Sequence, residues 1–450
     1  MKTRYLIIVL LLFSITTWGS ELKVGVASKV ITPKLPFWLT GYGSRTKPST
    51  EVLHDLWAKA LVFEENKGNR VVIVTTDILG LSHEVSVAIA DKVYQKFGIK
   101  RSQLLLNSSH THSGPVIWPA LSMIFDLNPA DQRDVSRYAQ KLTDDIVDVI
   151  DSALHHIEPM QVWSGHGTAD FAMNRREITA KGVINGKNPN GHVDHDVPVL
   201  KIATPDGKLK AILFGYACHN TTLSNYLING DYAGFAQLEL QKVFPGATAL
   251  FFMGCGGDQN PQPRGSVELA MQHGKSLADA VQKALSGNLK PVRLPIRTDY
   301  ATVDLPFQPF DYEIYHKEIL DPDPYVQRRA KLILEAYNKG WDVSKYAYPL
   351  QVIRFNNDLT ILGMSGEVVV DYSLKMKKEY GNENLLVGGY CTEVMCYIPT
   401  LDVQKGGGYE PDKSMIYYGM PGPFADNTEE KIVTTIHRLM KNVGAKPSKN

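Results

Sequence analysis

Little in this chain points to a strongly charged partner. Its 450 residues carry 48 Lys and Arg against 47 Asp and Glu, a formal net charge of +1, and no run of one sign. A nucleic-acid binder needs a basic footprint that is missing here. Beyond the N-terminus no stretch is apolar enough to cross a bilayer. Cysteine is scarce: only Cys218, Cys255, Cys391 and Cys396 are present, at spacings unlike a four-thiolate zinc site. Cys391 and Cys396 stand close enough for a local bridge, whereas Cys218 and Cys255 read as buried thiols or a long-range pair. The glycine turn Gly254-Cys255-Gly256-Gly257-Asp258 lacks both the GxGxxG spacing and the Walker lysine of a phosphate cradle. The GxSxG elbow of a serine hydrolase is absent, and nothing singles out Ser113 as a nucleophile. No internal repeat and no low-complexity segment shows.

The N-terminus does carry a signal. Lys2 and Arg4 precede the apolar run Tyr5–Phe13, and small or polar residues follow to Gly19-Ser20. This pattern predicts a signal peptide over residues 1–20 and a secreted or periplasmic product with no stable transmembrane segment. The remainder, in a chain 44% hydrophobic and 21% charged, has ample material for a large core. No boundary stands out, so residues 21–443 read as a single catalytic domain, followed by a disordered tail over 444–450.

Apolar periodicity then gives the elements. Strands are expected at Leu22–Ala27, Trp57–Phe63, Arg70–Thr76, Gln103–Leu106, Gln161–Ser164, Val197–Ile202, Lys210–Ala217, Ala247–Met253, Leu350–Phe355 and Leu359–Gly363. Helices are expected at 83–97, 135–155, 233–243, 265–285, 324–338 and 427–442. The glycine- and asparagine-rich stretch from Arg176 to Asp196 reads as a polar loop. The order is that of an α/β protein, a mixed β-sheet core with flanking helices.

Several strands end in chemically capable residues: Asp77, His110 and His112, His219, and Glu367. In open α/β sheets ligands gather at such strand ends. His110 and His112, one residue apart after Leu104-Leu105-Leu106, would share a face if the strand continued through them. Two imidazoles and a carboxylate with one open position make a catalytic zinc site, so His110, His219 and Glu367 are candidate ligands. His112 is a candidate to move a proton or bind an oxyanion, Arg175 to hold an anion through its rigid fork, and Tyr397 to reach metal or oxyanion. Each also has an ordinary structural reading: a satisfied core histidine, a helix-start carboxylate, a surface ion pair, a packing tyrosine. His54-Asp55 would orient a ligand histidine, Asp231 would cap a helix, and His192–Asp196 reads as a polar loop or a second metal site.

These residues sit in a pattern that resembles the neutral/alkaline, non-lysosomal ceramidase family, in its N-terminal catalytic domain. The likeness runs from about Val24 to about Tyr409. It rests chiefly on His110-Thr111-His112-Ser113-Gly114-Pro115, with Asn174-Arg175, Ala217 through Thr222, Gly230-Asp231 with Gly234, Gly257-Asp258 with Pro261, Gly366-Glu367 and Tyr397-Ile398-Pro399-Thr400. The resemblance implies a ceramidase-like fold and a zinc amidase that splits the N-acyl bond of ceramide. It implies His110, His219 and Glu367 as metal ligands, Tyr397 reaching the metal, and His112 and Arg175 at the reacting amide. Asn260 stands where the family's Gly-Asp-x-Ser-Pro has serine. Asparagine can donate to an oxyanion but cannot form an acyl-enzyme. No long apolar insertion offers room for two lipid tails. The substrate expected is therefore an N-acyl compound, a ceramide-like lipid or a smaller molecule or glycan fragment. Rival readings are a zinc esterase or deacetylase or a lyase on carbohydrate, and a binding protein that has kept the fold without turnover.

Overall fold

The computed structural model describes residues 22–66 and 68–448; the expected signal peptide lies outside them. The hydrophobic runs form three main mixed sheets, and all three follow one plan. In the first, the order is Leu104–Ser108, Asn69–Thr76, Trp57–Asn66, Lys23–Val30, with the short Glu158–Pro159 at the edge. In the second it is Thr248–Met253, Leu209–Tyr216, Asp196–Ala203, Gln161–Thr168, edged by Lys290–Val292. In the third it is Leu385–Gly388, Leu359–Met364, Lys345–Phe355, Ile296–Pro306. Each sheet starts as an antiparallel three-stranded meander. A helix follows: His83–Phe97, Asp231–Val243 or Val370–Tyr380. The fourth strand then returns parallel to the third. A second helix closes each unit: Pro129–His155, Val267–Leu285 or Thr428–Asn442.

The chain is thus a threefold repeat of topology, although no internal repeat shows in the sequence. The repeat leaves no mark on the sequence because the plan constrains only where apolar residues fall. The insertions that follow each first strand differ: a largely irregular stretch over 31–56 with the short strand Glu51–Val52, the strands Ala172–Thr179 and Gly182–Asn188, and the helices Glu313–Glu318 and Pro324–Asn338.

Alternation sorts each strand between two cores. Val71 and Ile73 face the central cluster, while Val72 and Val74 face the helices of their own unit. The central cluster takes side chains from all three sheets, among them Leu61, Phe63, Leu105, Leu213, Phe252, Phe355 and Ile361. Asn107 joins the three fourth strands where they meet. Its Nδ2 donates to the carbonyls of Met253 (3.2 Å) and Gly389 (2.9 Å), and its Oδ1 accepts the Met253 N–H at 2.8 Å. Buried backbone groups that three separate sheets leave unpaired are satisfied in this way.

Helix ends follow local chemistry. Ser82 caps His83–Phe97 by accepting the Val85 N–H at 3.3 Å, and Gly98 closes it at φ 70°. The second helix starts at Pro129 rather than 135, because Asn128 accepts two N–H groups and proline suits the first turn.

Four expectations fail. The stretch from Arg176 is a hairpin, with Ala172–Thr179 antiparallel to Gly182–Asn188. Its outer strand is largely exposed and polar, so no apolar alternation marks it. Cys391 and Cys396 form no bridge: Cys391 packs in the central cluster and Cys396 in the core of the third unit, so the two thiols face different interiors, while Cys218 and Cys255 are buried free thiols, one of the two readings expected of them. Residues 444–448 pack rather than trail: Ala445 is buried against the third core, and the Ser448 N–H donates to the Glu379 carbonyl at 2.8 Å. Asp231 is not the cap but the first helical residue, at φ 53°, its carboxylate accepting the N–H of Leu223 and Tyr232. No helix among the described residues is long and apolar enough to cross a membrane.

Candidate metal centre and its cavity

Every unit delivers residues to the same end of the molecule, where its first, third and fourth strands finish. His110 and His112 follow the fourth strand of the first unit, His219 the third strand of the second, and Glu367 the third strand of the third. The strand before His110 stops at Ser108, so alternation along a strand is not what pairs the histidines. His110 instead takes a left-handed φ of 62°, a conformation uncommon outside glycine. Thr111 then bridges to Asn220 and turns His112 back. Gly41 is required where it stands: at φ 93°, a Cβ there would meet the His112 ring at 2.6 Å.

The ring nitrogens define the centre. His110 Nδ1 lies 2.7 Å from the Leu79 carbonyl, His112 Nδ1 3.0 Å from that of Gly41, and His219 Nδ1 2.6 Å from that of Gly256. Carbonyls only accept, so each Nδ1 holds the hydrogen and each Nε2 of the neutral ring presents a lone pair. Those lone pairs meet one another. His110 Nε2 is 3.1 Å from His112 Nε2. Glu367 Oε2 is 3.1 Å from His110 Nε2 and 2.9 Å from His219 Nε2. His110, His219 and Glu367 are almost wholly buried.

Acceptors packed against acceptors fit a cation. Ligand atoms on a tetrahedral zinc with bonds of about 2.0–2.1 Å stand roughly 3.3 Å apart, close to these spacings. Two overlapping triads can be drawn. His110, His112 and His219 each offer one ligand atom, all within 4.8 Å of one another, and that group could hold a metal ion. Replacing His112 by Glu367 gives the tighter set, with a negative charge in it.

Electrostatics agree with neutral rings at His112 and His219. Burial, aided by the Arg175 guanidinium, lowers His219 to about 4. Burial and the two neighbouring imidazoles hold His112 well below its ordinary value. Burial opposes the charge on Glu367, and its carboxyl falls well below the usual range only where positive charge stands at His110 and His219; with neutral rings, a bound cation would have to supply that charge. The hydroxyls of Tyr418 and Tyr390 donate to its two oxygens. Burial raises Tyr397, keeping its phenol protonated, 3.2 Å from His219 Nε2.

Arg175 is fixed by contacts the sequence did not signal. Its Nε donates to Glu410 Oε1 at 2.9 Å, and Arg176 Nη1 donates to Glu410 Oε2 at 2.5 Å. The guanidinium lies over the rings of Tyr397 (5.2 Å) and Tyr409 (5.7 Å). Nη1 stands 3.3 Å from His219 Nε2, while Nη2 is buried without a partner. Asn260 is buried on the same side, its Oδ1 accepting the Thr221 hydroxyl at 3.4 Å. His110, His112, His219, Glu367, Arg175, Asn260, Tyr397, Tyr409 and Tyr418 line one cavity of about 500 Å³, together with Tyr42, Tyr325, Tyr417 and Arg264, while Glu410, Arg176 and Tyr390 stand behind its wall.

Other candidates fall elsewhere. Asp77 accepts the Trp57 N–H (3.0 Å) within the first unit and the Gln237 amide (2.9 Å) from the helix Asp231–Val243 of the second. His54 orients no ligand histidine; its Nε2 accepts the Gly230 N–H at 2.8 Å. The carboxylates of Asp194 and Asp196 share Lys377, and His192 pairs with Asp371. Glu410, Tyr418, Tyr390 and Tyr409 were missed. Their only trace in sequence is the dense tyrosine spacing after Tyr390, with Glu410 set behind three consecutive glycines.

Residues 22–284 match the family described as neutral/alkaline non-lysosomal ceramidase, N-terminal; Glu367 and Tyr397 lie past that span. "Neutral ceramidase B" of Dictyostelium discoideum is 27% identical over 250 residues, covering 50% of this chain and 33% of that protein. The neutral ceramidase of Pseudomonas aeruginosa is 26% identical over 208 residues, covering 44% of this chain and 30% of that one. The aligned part is thus about a third of each relative's length. The crystal structure of the neutral ceramidase from Pseudomonas aeruginosa superposes with a TM-score of 0.72 at 17% identity, over 93% of this chain and 75% of that one. A matching fold, three unit-end loops meeting at His110, His219 and Glu367, and a family match over more than half the sequence agree: this chain belongs to the neutral/alkaline non-lysosomal ceramidase family.

Proposed function

We propose that this chain is a zinc-dependent hydrolase of N-acyl amide bonds, with His110, His219 and Glu367 as ligands and Tyr397 reaching the same ion. The observation that carries this reading is the convergence of lone pairs from buried imidazoles onto a buried carboxylate, an arrangement costly without a cation. Bound there, zinc supplies Lewis acidity, polarising an amide carbonyl and making water acidic near neutral pH.

The remaining residues bind, orient and move protons. The Tyr397 hydroxyl and the unpartnered Arg175 Nη2 donate to the carbonyl oxygen as charge develops on it. Glu410 holds the Arg175 plane in place. His112, its Nδ1–H fixed on Gly41, takes a proton at Nε2 and returns it to the departing amine nitrogen. Asn260, with no nucleophile to offer, contributes a neutral amide to the wall. Residues 21–443 act as one catalytic unit, a reading supported by every unit of the repeat supplying part of the centre. The N-terminal pattern supports export to the periplasm or medium. A second reading, an esterase or deacetylase on a glycan fragment, uses the same centre and is favoured by the many tyrosines and few aliphatic residues around it.

The test is metal analysis paired with a substrate panel of ceramides, N-acyl amino sugars, and acetylated or uronate-containing glycans. About one zinc per chain is expected, with His110→Ala and Glu367→Ala losing both metal and turnover. Full activity in metal-free protein overturns the reading.

A further inference from the structure

The cavity has an uneven charge. Glu367 is the only acid among its lining residues, whereas Arg175 and Arg264 both face it. Glu410 answers Arg175 and Arg176 together from behind the wall. Arg264 is exposed, and no carboxylate among the described residues lies within ion-pair distance of it. A divalent ion at the histidine centre would more than cancel Glu367, leaving the mouth positive.

Arg264 also stands on a fixed platform. Gln259–Pro261 pairs with Ala172–Asn174, the strand that carries Arg175. The Gln262 N–H donates to the Phe171 carbonyl and the Gly265 N–H to that of Thr222, each at 2.8 Å. One wall therefore presents Arg175, Asn260 and the exposed Arg264 to the cavity, and Asn185 lines it as well. The aliphatic lining is only Leu79, Leu121 and Ile124, a poor match for two alkyl tails.

We propose that the substrate is an organic anion: an N-acyl compound whose amine half bears a carboxylate, which Arg264 holds at the mouth while the amide lies beside Arg175 and His112. Arg264 is then a specificity residue. This rests on the amide-hydrolase reading for the reaction, but the anion subsite is tested separately from turnover.

Two probe pairs differ only in the acid: N-lauroylglycine against N-lauroylethanolamine, and N-acetylmuramate against N-acetylglucosamine. The first pair asks for an amino-acid carboxylate and the second for one on a sugar. In the pair that is turned over, the acid should have a KM about tenfold lower, equivalent to about 1.4 kcal/mol. That preference should shrink with added salt. Arg264→Gln should abolish it, Arg264→Lys should keep part of it, and both should retain zinc. Equal KM values in the unaltered protein, or a preference that survives Arg264→Gln, overturn the proposal. Calorimetry with dodecanesulfonylglycine and dodecanesulfonylethanolamine, which cannot be hydrolysed as amides, reads the subsite without chemistry. Tighter binding of the acid that Arg264→Gln removes supports the subsite even if no N-acyl probe is cleaved, in which case only the amidase reading falls. Where neither pair is turned over, equal binding, or no binding, of the two sulfonamides sinks the subsite.

Discussion

Glu367→Gln should have opposite effects with and without metal. In the metal-free protein Oε2 faces the lone pairs of His110 and His219 at 3.1 and 2.9 Å. A glutamine Nε2 in that place donates to either ring, while its oxygen keeps the Tyr418 hydroxyl. An acceptor contact becomes a hydrogen bond, a gain of about 1–2 kcal/mol. In a chain of this size that raises Tm by about 1–3 °C, somewhat less per kcal/mol than in smaller domains. Zinc reverses the order. At one hundred times Kd it stabilises the unaltered protein by about 2.7 kcal/mol, and the variant, without its anionic ligand, gains little. Differential scanning calorimetry at pH 7.5, in chelator and then in zinc, reads both signs. If the variant is the less stable protein in chelator, Glu367 is an ion-pair partner of protonated imidazoles and the metal argument fails.

Two further outcomes follow from buried groups. Glu410→Gln leaves Arg175 and Arg176 sharing one neutral amide, so urea denaturation should show a loss of about 3 kcal/mol, with turnover falling while zinc is retained; an unchanged midpoint would mean the pair is solvated. Burial lowers His54 to about 4, below its ordinary 6.5, so the unfolded chain takes up the proton first. Its stability contribution is complete above pH 6.5 and is lost as pH falls towards 4. Between pH 6.5 and 5 this amounts to at most about 2 kcal/mol, and His54→Asn should flatten that acid limb; an identical limb in the variant would refute the assignment.

Much of the fold was legible because strands buried on both faces leave long apolar runs, as at Asn69–Thr76 and Thr248–Met253. The helices His83–Phe97 and Pro324–Asn338 could be placed to the residue because a serine or proline marks the start and the apolar stripe persists to the end. The outer hairpin strand Gly182–Asn188 was not legible, since a strand open to solvent needs no alternation. At the centre, His110, His112, His219 and Glu367 stood out as polar groups ending apolar strands. Their convergence did not, because it depends on how three sheets are turned toward one another. Glu410 and Tyr418 were invisible for another reason: they act from the irregular stretch after the family's last marker, where no periodicity distinguishes a buried carboxylate from an exposed one.

The threefold plan has a mechanical consequence. No unit owns the centre: the first supplies two imidazoles, the second a third imidazole, and the third the carboxylate. An ion there is a clasp at the junction of three wedges, and any slippage of one wedge against another breaks its coordination before disturbing the interior of any wedge. Occupancy of the clasp should therefore report on how the wedges are seated, and filling it should add to the hold that the shared central cluster already gives them.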